Sequence, residues 1–269
     1  MRIEDKAILS TWLEYLRSLK ITPDSVSPSL NSDPASSAVI TGINENLYNS
    51  VFLQNPIDGE MLIQELRALH DELNLQLTAW VTDVPAADQL HRMLKTHFHS
   101  PGAFYGMLLD LAKANVSACP PNVSIEVVNS RHQAEVYAEV FCKTFHFPNL
   151  LEPTVRWAVN QYQELNRYGI SYIAKVEGVV AGVCSLIIDR EFQDFKTGGF
   201  YNACVLPEFR RRGVGTAMAC HRVKMAKELG LQYVSIILMS DALARSYCEQ
   251  LGFENFETLT PYYINHCRT

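Results

Sequence analysis

Apolar positions along the chain fall into two periods, and the switches between them outline the elements. Ile8, Leu9, Trp12, Leu13, Tyr15, Leu16 and Leu19 recur at spacings of three and four, which predicts an amphipathic helix over 4–20. Residues 22–37 are rich in Ser and Pro and read as loop. Tyr48–Leu53 then reads as a strand, and 57–74 as a helix with Asp58 as its N-cap and Leu62, Leu66 and Leu69 along one face. A strand at Leu75–Val81, a helix at Ala86–Phe98 and a strand at Ala103–Asp110 complete an order of strand, helix, strand, helix, strand. Two prolines within 114–122 break the pattern, so the chain is expected to divide into a first unit over 1–117 and a second over 118–269.

The second stretch opens with a strand at Ser124–Val128 and helices over 131–146 and 152–167. Strands Ser171–Val176 and Val179–Asp189 follow, joined across Glu177-Gly178 as a tight hairpin. After a loop over Glu191–Thr197 come a strand at Phe200–Val205, a helix over Gly213–Leu229, a strand at Tyr233–Leu238, a helix over Asp241–Leu251 and two short closing strands. The expected class is α+β around a mixed sheet.

Composition narrows the function classes. Apolar residues make up 48% of the 269, ample for a packed interior, and the net charge of −6 argues against a nucleic-acid binder. Seven cysteines, Cys119, Cys142, Cys184, Cys204, Cys220, Cys248 and Cys267, are scattered with no CxxC pair. They make a poor disulfide framework and a poor zinc site, and most read as buried thiols of a reducing, cytoplasmic protein. His97 and His99 flank Phe98, a weak metal signal, and no metal is expected. No signal peptide and no apolar run of membrane-spanning length is seen, so no membrane partner is expected.

The chemistry concentrates at Val205–Thr216, VLPEFRRRGVGT. A strand ends, a short basic loop follows, and a helix begins at once. The first N–H groups of a helix have no internal partner and carry partial positive charge, so they take anions. Gly213 and Gly215 allow a ligand close to the backbone, and Arg210, Arg211 and Arg212 add charge for phosphate. A P-loop would need Lys-Ser/Thr after the glycine, and a dinucleotide fingerprint would need a third glycine where Met218 stands.

This segment resembles the signature of the GNAT acetyltransferase superfamily, Arg/Gln-x-x-Gly-x-Gly/Ala behind a Val-x-Pro-Glu-aromatic lead-in, with Val205, Pro207, Arg210, Gly213 and Gly215 in the fixed places. SDALARSYCEQLGF over 240–253 is similar to the second conserved block, with Ala244, Leu251, Gly252 and Phe253 matching, and VEGVVAGVCSLII over 176–188 to the hairpin before the signature. The resemblance covers about 123–265. It implies a GNAT fold, with a central mixed, mostly antiparallel sheet flanked by helices, and acetyl-CoA as co-substrate in a gap between the signature strand and the next parallel strand. It implies that pantetheine runs along Ala203–Val205 and that the pyrophosphate rests on the loop and helix start. Arg210, Arg211, Arg212, Gly213, Val214, Gly215 and Thr216, with Asp241 at the head of the next helix, would then bind the coenzyme. It further implies that the Val205 N–H polarises the thioester carbonyl. A small-molecule or protein amine would attack directly, giving its proton to water or to Asp189, Glu191 or Asp194.

Members of the superfamily often carry a tyrosine four residues before the glycine of Leu-Gly-Phe as proton donor to the leaving thiolate. Here Cys248 holds that place and Tyr247 the one before, about 100° round a helix. Tyr247 as acid, Cys248 as acid, and unassisted departure remain open. Cys204 as a covalent nucleophile is disfavoured, since it lies in a strand expected to be buried. A sensor that holds acyl-CoA without turnover is the alternative to an enzyme. The first stretch, through LTAWVTDVPAADQLHRML and FYGMLLDL, resembles the degenerate N-terminal half of bacterial tandem members and lacks Arg-x-x-Gly-x-Gly.

Overall fold

The computed structural model describes all residues except 1–2, 20–27, 57, 83–86, 116–119, 164–168, 190–195, 240–246 and 265–269. Helix α1 (Ile3–Ser18) precedes strands β1 (Ser37–Ile40) and β2 (Asn49–Leu53), helix α2 (Gly59–Leu73), β3 (Leu77–Val81), α3 (Ala87–His97) and β4 (Phe104–Asp110). The second half holds β5 (Val123–Val127), α4 (Arg131–Phe145), α5 (Leu151–Gln163), β6 (Gly169–Val176), β7 (Val179–Ile188), β8 (Thr197–Val205), α6 (Val214–Glu228), β9 (Tyr233–Met239) and β10 (Glu254–Ile264). Apart from the helix expected over Asp241–Leu251, of which 241–246 lie outside the described residues, the expected elements are present within a few residues of the bounds read from sequence, with two differences. Strand β1 falls at the end of the stretch read as loop. The two short closing strands are one, β10, bulged between Asn255 and Glu257.

Local chemistry explains the boundaries. The Asp58 carboxylate accepts from the Met61 N–H at 3.0 Å, and Asn74, at φ 51°, ends α2 in the left-handed conformation that asparagine tolerates. Leu62, Leu66 and Ile63 face the core from α2, each burial contributing roughly 1.5–3 kcal/mol. Ser130 caps α4 in the same way, through Gln133 N–H. At the β6–β7 turn Glu177 and Gly178 both have positive φ, 52° and 82°, the geometry of a two-residue hairpin.

All ten strands form one mixed sheet in the order β1-β2-β3-β10-β4-β9-β8-β7-β6-β5. Only β2/β3 and β8/β9 are parallel, and each of these pairs is joined through a helix. The two halves exchange their last strands. β4 lies between β9 and β10, with Phe104–Asp110 opposite Met239–Tyr233, while β10 crosses from β4 to β3, where Thr260–Ile264 face Val81–Leu77. A pseudo-twofold relation follows, in which β2-α2-β3 corresponds to β8-α6-β9. One face of the second-half sheet packs on α1, α4 and α5 around Tyr137, Trp157 and Tyr201, the other on α6 around Met218, Val223 and Phe200.

Removing residues 1–117 would therefore strip β9 of a seven-residue partner and leave β10 without neighbours on either side. The fragment 118–269 is expected to lose the cooperative thermal transition of the full chain in circular dichroism; a sharp transition in that fragment would show that the exchanged strands are dispensable.

Candidate functional site

β8 and β9 begin as neighbours and then separate. Their ladder runs only through Thr197↔Tyr233, Gly198↔Val234 and Gly199↔Ser235. Beyond it β8 stays on β7 through Val205↔Gly182, and β9 stays on β4 as far as Met239↔Phe104. A wedge opens between Phe200–Val205 on one side and 236–239 on the other. Thr11 of α1 closes its base: the hydroxyl lies 3.0 Å from that of Tyr201 and hydrogen-bonds Ser235. The Leu206 N–H donates to Ala181 on β7 at 2.9 Å, so strand alternation turns the Val205 N–H toward the wedge. Ala203 is the exposed residue of this stretch, between buried Tyr201 and Cys204.

At the mouth of the wedge the chain turns through a 3-10 segment, Pro207–Phe209, into α6. Gly213 is the N-cap at φ 81°, with no side-chain cap, and the first helical bond runs from Ala217 N–H to the Gly213 carbonyl at 2.9 Å. The N–H groups of Val214, Gly215 and Thr216 thus lie ahead of the helical ladder. The two glycines differ. A Cβ on Gly213 would stand 2.9 Å from Pro120 Cγ, whereas one on Gly215 would meet nothing within 4 Å. The open space over Gly215 is what a diphosphate needs to reach these N–H groups. The arginines are all exposed: Arg210 Nε donates to the Val205 carbonyl at 3.4 Å, Arg212 lies 5.3 Å over the Phe209 ring, and Arg211 has φ 60°.

The corresponding place in the first half is filled from within. β2 and β3 stay paired to the end of both strands, through Leu53↔Val81. The buried Asp33 carboxylate accepts from the Gln54 N–H at 2.7 Å and the Asn55 N–H at 3.2 Å, just beyond β2. Among the described residues no wedge opens there, and the Asp33 side chain already holds these N–H groups.

Tyr247 and Cys248 stand on a helical segment, 247–250, that packs beside α6. The Tyr247 hydroxyl is buried and, among the described residues, makes no hydrogen bond of normal geometry. Burial raises its pKa, opposed by the neighbouring Thr216 side chain, so it is protonated at neutral pH. Cys248 is 5% exposed, and burial pushes its thiol to about 11. Cys204, on the α4 face, has its thiol 3.9 Å from the Val140 carbonyl, and burial raises it to about 11 as well. Asp189 is buried at the end of β7, its N–H donating to the Thr197 carbonyl, and burial raises the nearby Tyr201 phenol. Glu191, Asp194 and Asp241 lie outside the described residues, as do Cys119 and Cys267. Among the described residues no three His, Cys, Asp or Glu side chains cluster as metal ligands, and no helix is long and apolar enough to cross a membrane. The hydrogen bond from the Tyr15 O–H to Asn202 Oδ1 of β8 has no sequence signal beyond an asparagine inside a strand.

Residues 135–253 match the family model described as Acetyltransferase (GNAT) family. No curated protein matches the chain. Solved structures similar to nearly the whole chain include a GCN5-related N-acetyltransferase from Kribbella flavida, at 14% identity over 99% of this chain and 98% of that one, TM-score 0.70. Another, from Sphaerobacter thermophilus, has 14% identity, coverage of 98% and 93% and TM-score 0.61. A tandem GNAT protein from the clavulanic acid biosynthesis pathway matches at 14% identity over 95% of each chain, TM-score 0.58. At these identities the likeness is one of fold, and it spans both halves.

Gly215→Val is expected to weaken acetyl-CoA binding at least tenfold in calorimetric titration while the melting temperature stays close to wild type. Gly213→Val, strained at φ 81° and pressed against Pro120, is expected to lower both. Unchanged affinity in Gly215→Val would remove the helix start from the site.

The buried thiols make stability fall at alkaline pH. Cys184, Cys204 and Cys248 are raised from 9.0 to about 11 in the folded chain. Above about pH 9 the unfolded chain loses these protons and the folded one does not, so unfolding gains. The melting temperature is expected to fall between pH 9 and 11, and Cys248→Ala to reduce that fall; identical profiles would contradict it.

Proposed function

We propose that this chain, whose residues 135–253 match the Acetyltransferase (GNAT) family model, is an acyl-CoA-dependent N-acyltransferase that moves an acetyl group from acetyl-CoA to an amine. The observation that carries this reading is the wedge between β8 and β9, with a helix start at its mouth where a Cβ on Gly215 would meet nothing within 4 Å.

In this reading the diphosphate takes the N–H groups of Val214, Gly215 and Thr216, with Arg210, Arg211 and Arg212 around it. Pantetheine fills the wedge beside Ala203–Val205, supplying partners to backbone groups that β9 has left. The Val205 N–H donates to the thioester oxygen as charge develops there. A neutral amine attacks the carbonyl carbon, the C–S bond breaks, and the amine proton passes to solvent. An alkyl ammonium has a pKa near 10.4, so the reactive neutral fraction grows with pH.

The thiolate leaves without a protein acid. A thiol of reference pKa about 8.5 is a fair leaving group near neutrality. The positions of Tyr247 beside Thr216 and of Cys248 in the core favour this over a donated proton. Neither the acceptor nor the acyl length follows from the motif.

The test is release of free coenzyme A, followed with a thiol reagent, from acetyl-CoA against alkyl and aryl amines, amino acids, polyamines, aminoglycosides and lysine peptides. Amine-dependent release from at least one class is expected; tight acetyl-CoA binding with no release from any would favour a sensor. Tyr247→Phe is expected to lower kcat less than about fivefold, whereas a general acid is worth about a hundredfold or more; a loss of that size would restore Tyr247 as the acid.

A further inference from the structure

The wedge between β8 and β9 has a floor, and its parts come from both halves of the chain. Gly199 and Ser235 are the last pair of the parallel ladder. A Cβ on Gly199 would collide with the Tyr201 ring and stand 3.2 Å from Thr11 Cβ, so the ring lies folded back over the glycine. Beyond Tyr201 the register of β8 on β7 slips, and Asn202 and Ala203 together face the single residue Cys184. This bulge resets the alternation of the strand. Tyr201 and Cys204 both join the core on the α1 face, while Phe200 and Val205 pack on the α6 face.

Two rings therefore bracket β8 where the ladder ends, one on each face, and each is braced. On the α1 side Tyr201 is stacked on Tyr15 at 5.0 Å and 18°, and tilted against Trp12 at 5.4 Å. Burial raises its phenol, so it is a hydrogen-bond donor at neutral pH. Thr11 gives its only hydroxyl proton to the Ile8 carbonyl at 2.9 Å. The Thr11 oxygen then accepts from Tyr201 at 3.0 Å and from Ser235, which ties β8 to β9 through α1. On the α6 side the buried Arg222 guanidinium lies 4.2 Å over the Phe200 ring and donates to the Met218 and Ser185 carbonyls. Phe200, Thr11 and Ser235 are all buried, so among the described residues the wedge ends blind.

The direction of the coenzyme along the wedge decides what meets this floor. With the diphosphate at the start of α6 and pantetheine beside Ala203–Val205, the acyl group is the end nearest Gly199, and its carbons continue down β8 toward Tyr201. From Val205 to Tyr201 is about four residues of strand, roughly 13 Å. An acyl chain of short to medium length fits that distance and a long fatty-acyl chain does not. We infer that Tyr201 and Phe200 form the floor that limits the length of the acyl group, and that Thr11 is the positioning residue that holds Tyr201 in place. This rests on the acyltransferase reading. The N-terminal helix, in the half without a phosphate loop, thereby sets which acyl-CoA the other half accepts.

The experiment is calorimetric titration of full-length wild type, Thr11→Ala and Tyr201→Leu, with no acceptor present, using acetyl-, butyryl-, hexanoyl-, octanoyl- and dodecanoyl-CoA. In wild type the affinity is expected to hold along the series until the tail meets Tyr201, and then to fall about tenfold or more from one member to the next. In Tyr201→Leu the fall comes at least one member later. In Thr11→Ala the first member that wild type excludes gains at least threefold relative to acetyl-CoA, because the ring is no longer tied to α1. A wild type that takes dodecanoyl-CoA as tightly as acetyl-CoA overturns this inference and leaves the acyltransferase reading standing. So do variants that lose melting temperature while their chain-length profile stays that of wild type. Should Tyr201→Leu fail to fold, the Thr11→Ala profile alone decides. Failure of wild type to take up any of the five overturns both.

Discussion

The separation of β8 from β9 after Gly199 and Ser235 is the constraint on which the rest depends. Backbone N–H and C=O groups inside a sheet have to find partners, and a parallel pair that stops after three residues leaves the inner edges of both strands without them. Each strand is held apart by its other neighbour: β8 is laced to β7, and β9 to β4 along its whole length. The wedge cannot close without breaking one of those ladders. Below it Thr11 seals the seam, and above it the turn into α6 presents further N–H groups. The site is an opening that the sheet keeps and that a long, polar-flanked ligand can fill.

That opening is bordered by elements of the first half as well as the second. β4 comes from the first half and forms one wall of the wedge's support, while α1 lies across the wedge base. In return, β10 from the second half completes the sheet beside β3. In β2-α2-β3 the strands remain paired and Asp33 takes the N–H groups beyond β2, so the related arrangement is closed and satisfied internally.

The parts legible in the sequence are those set by neighbouring residues. Gly213 at φ 81° and the uncapped start of α6 follow from a glycine-bracketed turn between an apolar strand and a helix, and the Asp58 cap and the Glu177-Gly178 hairpin are equally local. Strand exchange was not legible, because nothing local to Phe104–Asp110 tells which of two similar edges it will join. The two closing strands expected from sequence are one, β10: Pro261 offers no N–H to a ladder and the strand is bulged at Asn255/Glu257, but its pairing with two different partners bridges both interruptions. The β8 bulge escaped notice for the same reason, since it exists only relative to β7, and Tyr15 is 187 residues from the asparagine it holds.

Amide hydrogen exchange with and without coenzyme A tests the central claim most directly. If the wedge is the site, coenzyme A slows exchange at the N–H groups of β8 around Ala203–Val205 and at Val214, Gly215 and Thr216, while β2 and the start of α2 are unchanged. Protection confined to the first half, or none at saturating coenzyme A, would contradict the account.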